Sequence, residues 1–272
     1  SIVAMGNMAN VVWQSIDWWG PPFNGNGYIY LRRYNLSSNT WGPVEEIATF
    51  YPESQTYPAT PVIDAASLSS DGSNDIKRIA WKNPYGIQVR DCNYGSWGNI
   101  GAVSGTHGNC SYPSIANYNG DHYALSWVDA SAEAIKYTEC YYETWSGNWS
   151  FNNSAQVSPY GWYMNQRPSL TAGYESGSCT ARKVSIAWQS VDNVVEGVSV
   201  HVRQANFACN NWGNVTSYSI PVGGVQPHPA IGSYVSNGKL GLVWNVLNDV
   251  YVATYEPGWG WSGPNLLASG SN

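Results

Sequence analysis

The chain has 272 residues, with 15 Trp and 20 Tyr against 4 Phe, 11% charged residues and a net charge of -6 at pH 7. Globular domains carry roughly 25% charge, so polar contacts here fall mainly to Asn, Ser, Thr and Tyr, as suits a secreted or cell-surface protein. The acidic balance and the lack of a basic run argue against nucleic acid or anionic membrane as partner, and no apolar stretch reaches the ~20 residues that a membrane span needs.

In chain order, the first phrase that stands out is Asn10-Val11-Val12-Trp13, a short β-favouring run closed by Trp. It returns as Arg78-Ile79-Ala80-Trp81, Ala124-Leu125-Ser126-Trp127, Val184-Ser185-Ile186-Ala187-Trp188 and Leu240-Gly241-Leu242-Val243-Trp244. The intervals are too irregular for a fibrous repeat and suit a strand-rich unit with variable loops, used five times. The third copy shows the unit whole. Pro113-Ser114-Ile115-Ala116 opens strand A, and Asn119-Gly120-Asp121 is a hairpin signal. His122 to Trp127 forms strand B, Ala134-Ile135-Lys136-Tyr137 strand C, and a turn through Ser146-Gly147-Asn148 leads to Trp149 and strand D.

The parts recur. Strand A opens again at Pro61, Pro168 and Pro229, and strand C returns at Tyr28-Ile29-Tyr30-Leu31, Ile87-Gln88-Val89, Val198 to Val202 and Val250-Tyr251-Val252. Strand D opens at Trp41-Gly42-Pro43, Trp97-Gly98, Trp212-Gly213 and Trp261-Ser262-Gly263. Helical periodicity is absent, and 28 Gly and 15 Pro punctuate the strands. The pattern predicts an all-β, five-bladed β-propeller of four-stranded antiparallel blades, in which each blade packs on the next. The expected blades are approximately residues 1–57, 58–111, 112–166, 167–227 and 228–272, in a single domain over 1–272. Ser1-Ile2-Val3 reads in phase with Ser114-Ile115-Ala116, so the two ends are expected to meet and close the ring; a piece of a larger ring is the competing reading.

Five cysteines allow local bridges in an oxidising compartment: Cys179 with Cys209, and Cys92 with Cys110, with Cys110 to Cys140 as an alternative that spacing leaves open. Asn-X-Ser/Thr sequons occur at Asn35, Asn109, Asn148, Asn152 and Asn214. His107, His122, His201 and His228 lack metal-type spacing, and there is no paired-cysteine motif, so neither metal nor cofactor is expected.

In a propeller the B–C and D–A loops gather on one face. Those loops carry Asp17, Trp18, Trp19 and Tyr57 from blade one, Tyr85 and His107 from blade two, Tyr160, Trp162, Tyr163 and Arg167 at the end of blade three, and His228 before blade five. Trp and Tyr faces stack on the C–H side of a pyranose, while Asp, His and Arg bind hydroxyls, so this mixture is what carbohydrate binding needs. Rings that merely plug wide loops would give the same composition. Carboxylates follow strand B at Asp17, Asp129, Asp192 and Asp249. Two of them facing each other would suit a glycosidase, but an Asp there also closes a turn onto its own backbone.

The stretch Thr254-Tyr255-Glu256-Pro257-Gly258-Trp259-Gly260-Trp261 resembles, in degenerate form, the Asp-box hairpin of sialidase-type propellers, and Asn39-Thr40-Trp41 keeps the end of that pattern. The resemblance implies fold. Sialidases also use three arginines on the substrate carboxylate, and Arg32, Arg90 and Arg203 recur at one strand C position; a repeated Arg, however, points to a contact between blades. The architecture is also similar to the propeller lectins such as tachylectin-2. The expected function is extracellular glycan or glycoprotein binding through the loop face, without catalysis. The rivals are a structural or adhesive surface subunit with protein partners and a propeller glycoside hydrolase.

Overall fold

The computed structural model describes residues 1–16, 26–50, 61–67, 75–93, 95–119, 122–143, 146, 148–159, 166–174, 182–192, 197–206, 211–220, 227–233 and 238–270. Among them there is no helix, and the strands form five antiparallel sheets. The first holds β1 (Ile2–Met5), β2 (Met8–Ile16), β3 (Gly27–Asn35) and β4 (Thr40–Phe50). The second holds β5 (Val62–Ser67), β6 (Asp75–Asn83), β7 (Gly86–Asn93) and β8 (Ser96–Ala102). The third holds β9 (Cys110–Asn119), β10 (His122–Asp129), β11 (Ala134–Glu143) and a fourth strand broken into β12 (Asn148–Phe151) and β13 (Ala155–Gln156). The fourth holds β14 (Gln166–Tyr174), β15 (Arg182–Asp192), β16 (Gly197–Asn206), β17 (Asn211–Trp212) and β18 (Thr216–Ile220). The fifth holds β19 (Ala230–Ser233), β20 (Leu240–Val246), β21 (Asp249–Glu256), β22 (Gly260–Trp261) and β23 (Asn265–Ser269). In each sheet the strands lie side by side in chain order, which is the blade of a five-bladed propeller.

The chain divides into two compact units, residues 1–123 with 140–153, and residues 124–139 with 154–272. In the first, β1 lies beside β5 and β5 beside β9; in the second, β14 lies beside β19. First strands of successive blades are therefore neighbours within each unit.

Strand residues point alternately to two faces, and both faces of a blade are apolar here. Ile79 and Trp81 on β6 pack on Val12, Ile29, Leu31 and Ile47 of blade one. Leu242 and Trp244 on β20 pack likewise on Val200, Val202 and Tyr218 of blade four, with the Tyr218 and Trp244 rings stacked at 5.1 Å. Trp81, Trp127, Trp188 and Trp244 are all buried. The phrase that marks the repeat is thus the half of a junction that a blade offers to the one before it.

The recurring arginines belong to the same junctions. Arg90 donates from Nε to the Gly98 carbonyl at 2.9 Å and from Nη1 to the Ile47 carbonyl of the preceding blade. Arg203 donates from Nε to Gly213 O at 2.7 Å and from Nη1 to Val157 O of the preceding blade at 2.6 Å. Each guanidinium also lies over the Trp of its own fourth strand, Trp97 at 5.8 Å and Trp212 at 6.0 Å. Each of these arginines ties its blade to the one before it.

The cysteines correct the expected bridge. Cys92, Cys110 and Cys140 are buried, and no disulfide joins them. Cys110 opens β9 just past Gly108, which abuts the Pro84 carbonyl at the β6–β7 hairpin, whereas Cys92 lies at the far end of β7. Six residues of strand span about 20 Å, and a disulfide needs Cα atoms within about 7 Å. Cys179 and Cys209 lie outside the described residues.

His201 on β16 is buried, with Nε2 2.6 Å from Ser190 Oγ and Nδ1 2.8 Å from Ser217 Oγ. Burial lowers its pKa to about 3. The folded state therefore holds it neutral, and the stability this confers is present above the ordinary value near 6.5 and is lost as pH falls towards 3. The loss amounts to about 5 kcal/mol at the acid end. We expect the melting temperature to fall more steeply between pH 6.5 and 3 in the wild type than in His201→Gln; parallel curves would contradict this. Truncating Trp188→Ala should cost about 3–5 kcal/mol in denaturant unfolding as a buried aromatic deletion, and unchanged stability would remove Trp188 from the core.

Candidate functional site

A cavity of about 390 Å³ opens on the outer strands of blade one, lined by Met8, Arg33, Asn35, Thr40, Trp41, Gly42, Pro43 and Glu45. Local pairing places these side chains. Met8 on β2 faces Asn35 on β3, and Asn10 faces Arg33, so the four share one face of the sheet. Arg32 pairs with Val44 and Tyr34 with Trp41, leaving Gly42 and Pro43 opposite Arg33 alone. This is a β-bulge on the edge strand, where Pro is tolerated and a bulge re-aims neighbouring side chains. Asn35 Oδ1 accepts the N–H groups of Ser37 at 2.9 Å and Ser38 at 3.0 Å, which fixes the β3–β4 turn beside the cavity.

The polar centre is the Arg33–Glu45 pair, Nη2 to Oε1 at 2.5 Å, with side chains 30% and 24% exposed. Glu45 Oε2 also accepts from Trp97 Nε1 of blade two at 3.1 Å, which anchors the carboxylate from a second blade. Among the described residues, the Nε of Arg33 and both polar side-chain atoms of the fully buried Asn10 have no hydrogen-bond partner. Trp41 is 49% exposed, with the Tyr34 ring at 4.9 Å and the Arg32 guanidinium over it at 5.2 Å. The site therefore sets charge-assisted donors and acceptors, without net charge, on one face of the sheet, while the Trp41 indole stacks on the opposite face with Tyr34 and Arg32.

The next junction shows why the cavity forms where it does. Glu45 pairs with Leu31 across β3–β4, and the matching pair in blade two is Val89 with Gly101. A Cβ built on Gly101 would meet the Trp149 ring at 2.6 Å, so glycine lets that indole lie against the strand. By register the counterpart of Trp97 is Phe151; Trp149, two residues before it, donates from Nε1 to Asn99 O at 3.1 Å. Beside Trp149 are the Tyr123 and Tyr142 rings, both at 5.2 Å. Deeper in blade two, Arg78 Nε and Asp91 Oδ1 form a buried ion pair at 3.0 Å, with Arg78 over the Tyr123 ring. Rings and a buried pair occupy at that junction what Glu45 and the cavity occupy in blade one.

The loop residues expected from the sequence stand as follows. Asp17, Trp18, Trp19, Tyr57, Tyr160, Trp162 and Tyr163 lie outside the described residues. Tyr85 is 74% exposed, and its backbone N–H donates to Asn83 Oδ1 at 2.8 Å. His107 Nδ1 accepts from the Asn109 N–H at 3.3 Å. Arg167 and His228 are brought together, guanidinium against imidazole, with Arg167 held at φ 50°. Burial, and then the Arg167 charge, lower the His228 pKa. Asp129 Oδ1 accepts from the N–H groups of Ser131 at 3.1 Å and Ala132 at 3.2 Å, the turn-closing role, and Asp249 Oδ1 accepts from Ser269 Oγ at 2.6 Å. Of the sequons, Asn109, Asn148, Asn152 and Asn214 are exposed, while Asn35 is half-buried at the cavity.

Arg33 and Glu45 were missed as ligand residues because they sit on strands. One signal was in the sequence: Arg32 repeats as Arg90 and Arg203, but Arg33 stands where the repeat has Asp91 and Gln204.

No protein-family model matches the chain, and no curated protein matches it. Among solved structures it is similar to the fucose-specific lectin from Aleuria aurantia, at 12% identity over 96% of this chain and 79% of the lectin, with a TM-score of 0.50. It is also similar to the NanB sialidase from Streptococcus pneumoniae, at 11% identity over 80% of this chain and 32% of the sialidase, with a TM-score of 0.52. At such identities the likeness establishes the propeller fold and leaves function to the site.

Proposed function

We propose that this chain binds a neutral carbohydrate in the blade-one cavity, outside the cell, without turning it over. A sugar hydroxyl both donates and accepts hydrogen bonds. Arg33 and Glu45 side by side offer a donor and an acceptor at the spacing of two neighbouring hydroxyls, and Asn35 and Thr40 add short polar groups. Met8 and Pro43, which line the same cavity, supply an apolar surface for the C–H side of the ring. The observation that carries the reading is this partly exposed ion pair in an open cavity, on a fold similar to that of a fucose-specific lectin.

Hydrolysis would ask for two carboxyl groups about 5 Å or about 6.5–9.5 Å apart. Among the described residues, Glu45 is the one carboxylate lining the cavity, and it is already shared between Arg33 and Trp97. That favours binding over catalysis.

A glycan array on the purified chain, followed by calorimetric titration of the best glycan, tests the proposal. Glu45→Gln should weaken binding about 10- to 100-fold, the range of a charge-assisted hydrogen bond worth about 1.5–3 kcal/mol. Arg33→Gln should weaken it likewise with little change in melting temperature, since a partly exposed ion pair contributes about 0–1 kcal/mol to stability. Undiminished binding in both variants, with loss in Trp18→Ala or Trp162→Ala, would move the site to the loop face; a blank array with folded protein would end the carbohydrate reading.

A further inference from the structure

The pairing register identifies the same position in different blades. Trp13–Tyr30 in blade one matches Trp81–Gln88 in blade two, Trp188–His201 in blade four and Trp244–Tyr251 in blade five. Counting back equally from each Trp gives the equivalent cross-strand pairs Asn10 with Arg33, Arg78 with Asp91, Ser185 with Gln204 and Gly241 with Thr254. In blade two the pair is the buried one, Arg78 Nε to Asp91 Oδ1 at 3.0 Å. In blade four Gln204 Nε2 donates to Ser185 Oγ at 3.1 Å. Blade five puts a glycine at the first position, which asks for no partner. In these blades the two side chains satisfy each other, or one of them has nothing to satisfy.

Blade one departs from this. Arg33 directs Nη2 to Glu45 on β4, whose carboxylate is held by Trp97 of blade two, and it makes no bond to Asn10. Asn10 is fully buried, and among the described residues its Oδ1 and Nδ2, like the Nε of Arg33, have no hydrogen-bond partner. A buried polar atom left unpaired costs free energy, and blades two and four display the arrangement that avoids it.

These atoms lie at the inner end of the cavity. Along one face of β2 and β3 run the pairs Met8 with Asn35, Asn10 with Arg33, and Val12 with Leu31. Met8, Asn35 and Arg33 line the cavity, whereas Val12 and Leu31 belong to the apolar core. Asn10 therefore stands at the boundary between cavity and core. Its neighbour Met8 is unbranched and adapts readily to what lies beside it.

The group that completes these atoms is narrowly defined. Arg33 Nε donates and Asn10 Oδ1 accepts, so the group has to accept and donate at once, which a hydroxyl does and a carboxylate or a methyl does not. It also has to be slender, because Asn10 is buried and a pyranose ring stops in the cavity. A hydroxyl carried one carbon out from the ring, with a torsion to turn it inward, reaches further past Met8 than a hydroxyl fixed on the ring.

We propose that the blade-one cavity selects sugars bearing a free hydroxymethyl group, whose hydroxyl accepts from Arg33 Nε and donates to Asn10 Oδ1, with Asn10 as the specificity-determining residue. This rests on the carbohydrate reading above and narrows it to hexoses with that alcohol unsubstituted.

Calorimetric titration of the full chain reads the selection. The probes are the methyl glycosides of D-glucose, D-galactose and D-mannose, each beside the same glycoside with methyl in place of hydroxymethyl. At least one hexoside should bind, and its deoxygenated partner should bind about 10- to 100-fold more weakly, as expected for loss of a hydrogen bond to a charged donor. Asn10→Leu replaces the unpaired amide by an apolar group, so its melting temperature should be no lower than that of the wild type. It should also bind the two members of a pair equally, whereas a merely structural residue would leave their ratio unchanged. Equal affinities in the wild type overturn the proposal while carbohydrate binding stands, and so does discrimination that persists in Asn10→Leu. Failure of every hexoside overturns it as well. The glycan array then separates the two readings, since binding of other sugars keeps the cavity as a carbohydrate site and a blank array removes both.

Discussion

The burial of an indole against the blade before it, Trp81 against blade one and Trp244 against blade four, is the constraint on which the rest of the structure depends. A Trp side chain removes about 150–250 Å² from water, which at about 25 cal/mol per Å² is about 4–6 kcal/mol of transfer free energy. A single four-stranded sheet cannot collect it, because the ring lies on an outer face; only the neighbouring blade can. Stability is thus a property of junctions, as in repeat proteins generally. The arginine clip follows from the same geometry. A bulge in the fourth strand takes Ile47 out of the ladder, and a buried backbone carbonyl needs a donor; Arg90 reaches across from the next blade to provide it.

Function, on this view, has to come from departures from the repeat, because whatever every blade shares is committed to stacking. The Arg33–Glu45 pair is such a departure. Arg33 stands next to the structural Arg32, on the opposite face of the same strand, and so points away from Trp41's stacking partner and towards blade two. Glu45 occupies a position that glycine holds in blade two, and it is reached by Trp97 of the next blade, whereas the indole that lies on that glycine, Trp149, bonds to backbone instead. Two substitutions against the repeat, at residues brought together only by the β3–β4 pairing, turn a packed junction into a lined cavity.

The fold was legible because its signals are local and repeated. A β-favouring run ending in Trp, a Pro at the start of strand A and a Trp-Gly at the start of strand D each mark a position in the blade, and five copies reinforce one another. The structural role of Arg90 and Arg203 could be read for the same reason. The candidate site was legible only in part, since cavities depend on bulges and cross-strand register. Nothing in Gly42-Pro43 by itself says that it opposes Arg33, and a search of aromatic loops passes over Glu45 on a strand. The thiols fail differently: Cys92 and Cys110 are close in sequence order but sit at opposite ends of a blade, and spacing along the chain does not report distance along a strand.

Stability alone does not account for the Arg33–Glu45 pair. A partly exposed ion pair contributes about 0–1 kcal/mol, and the alternative is displayed at the next junction, where Gly101 admits the Trp149 ring and the site is filled with aromatic contacts. The same chain thus shows both solutions to one repeat position. In blade two the space between strands is used to bury a ring; in blade one a carboxylate held by Arg33 and Trp97 keeps that space open. An open, hydrogen-bonding cavity forgoes packing that the fold elsewhere collects, and a ligand that completes its bonds is what such an arrangement is built to receive.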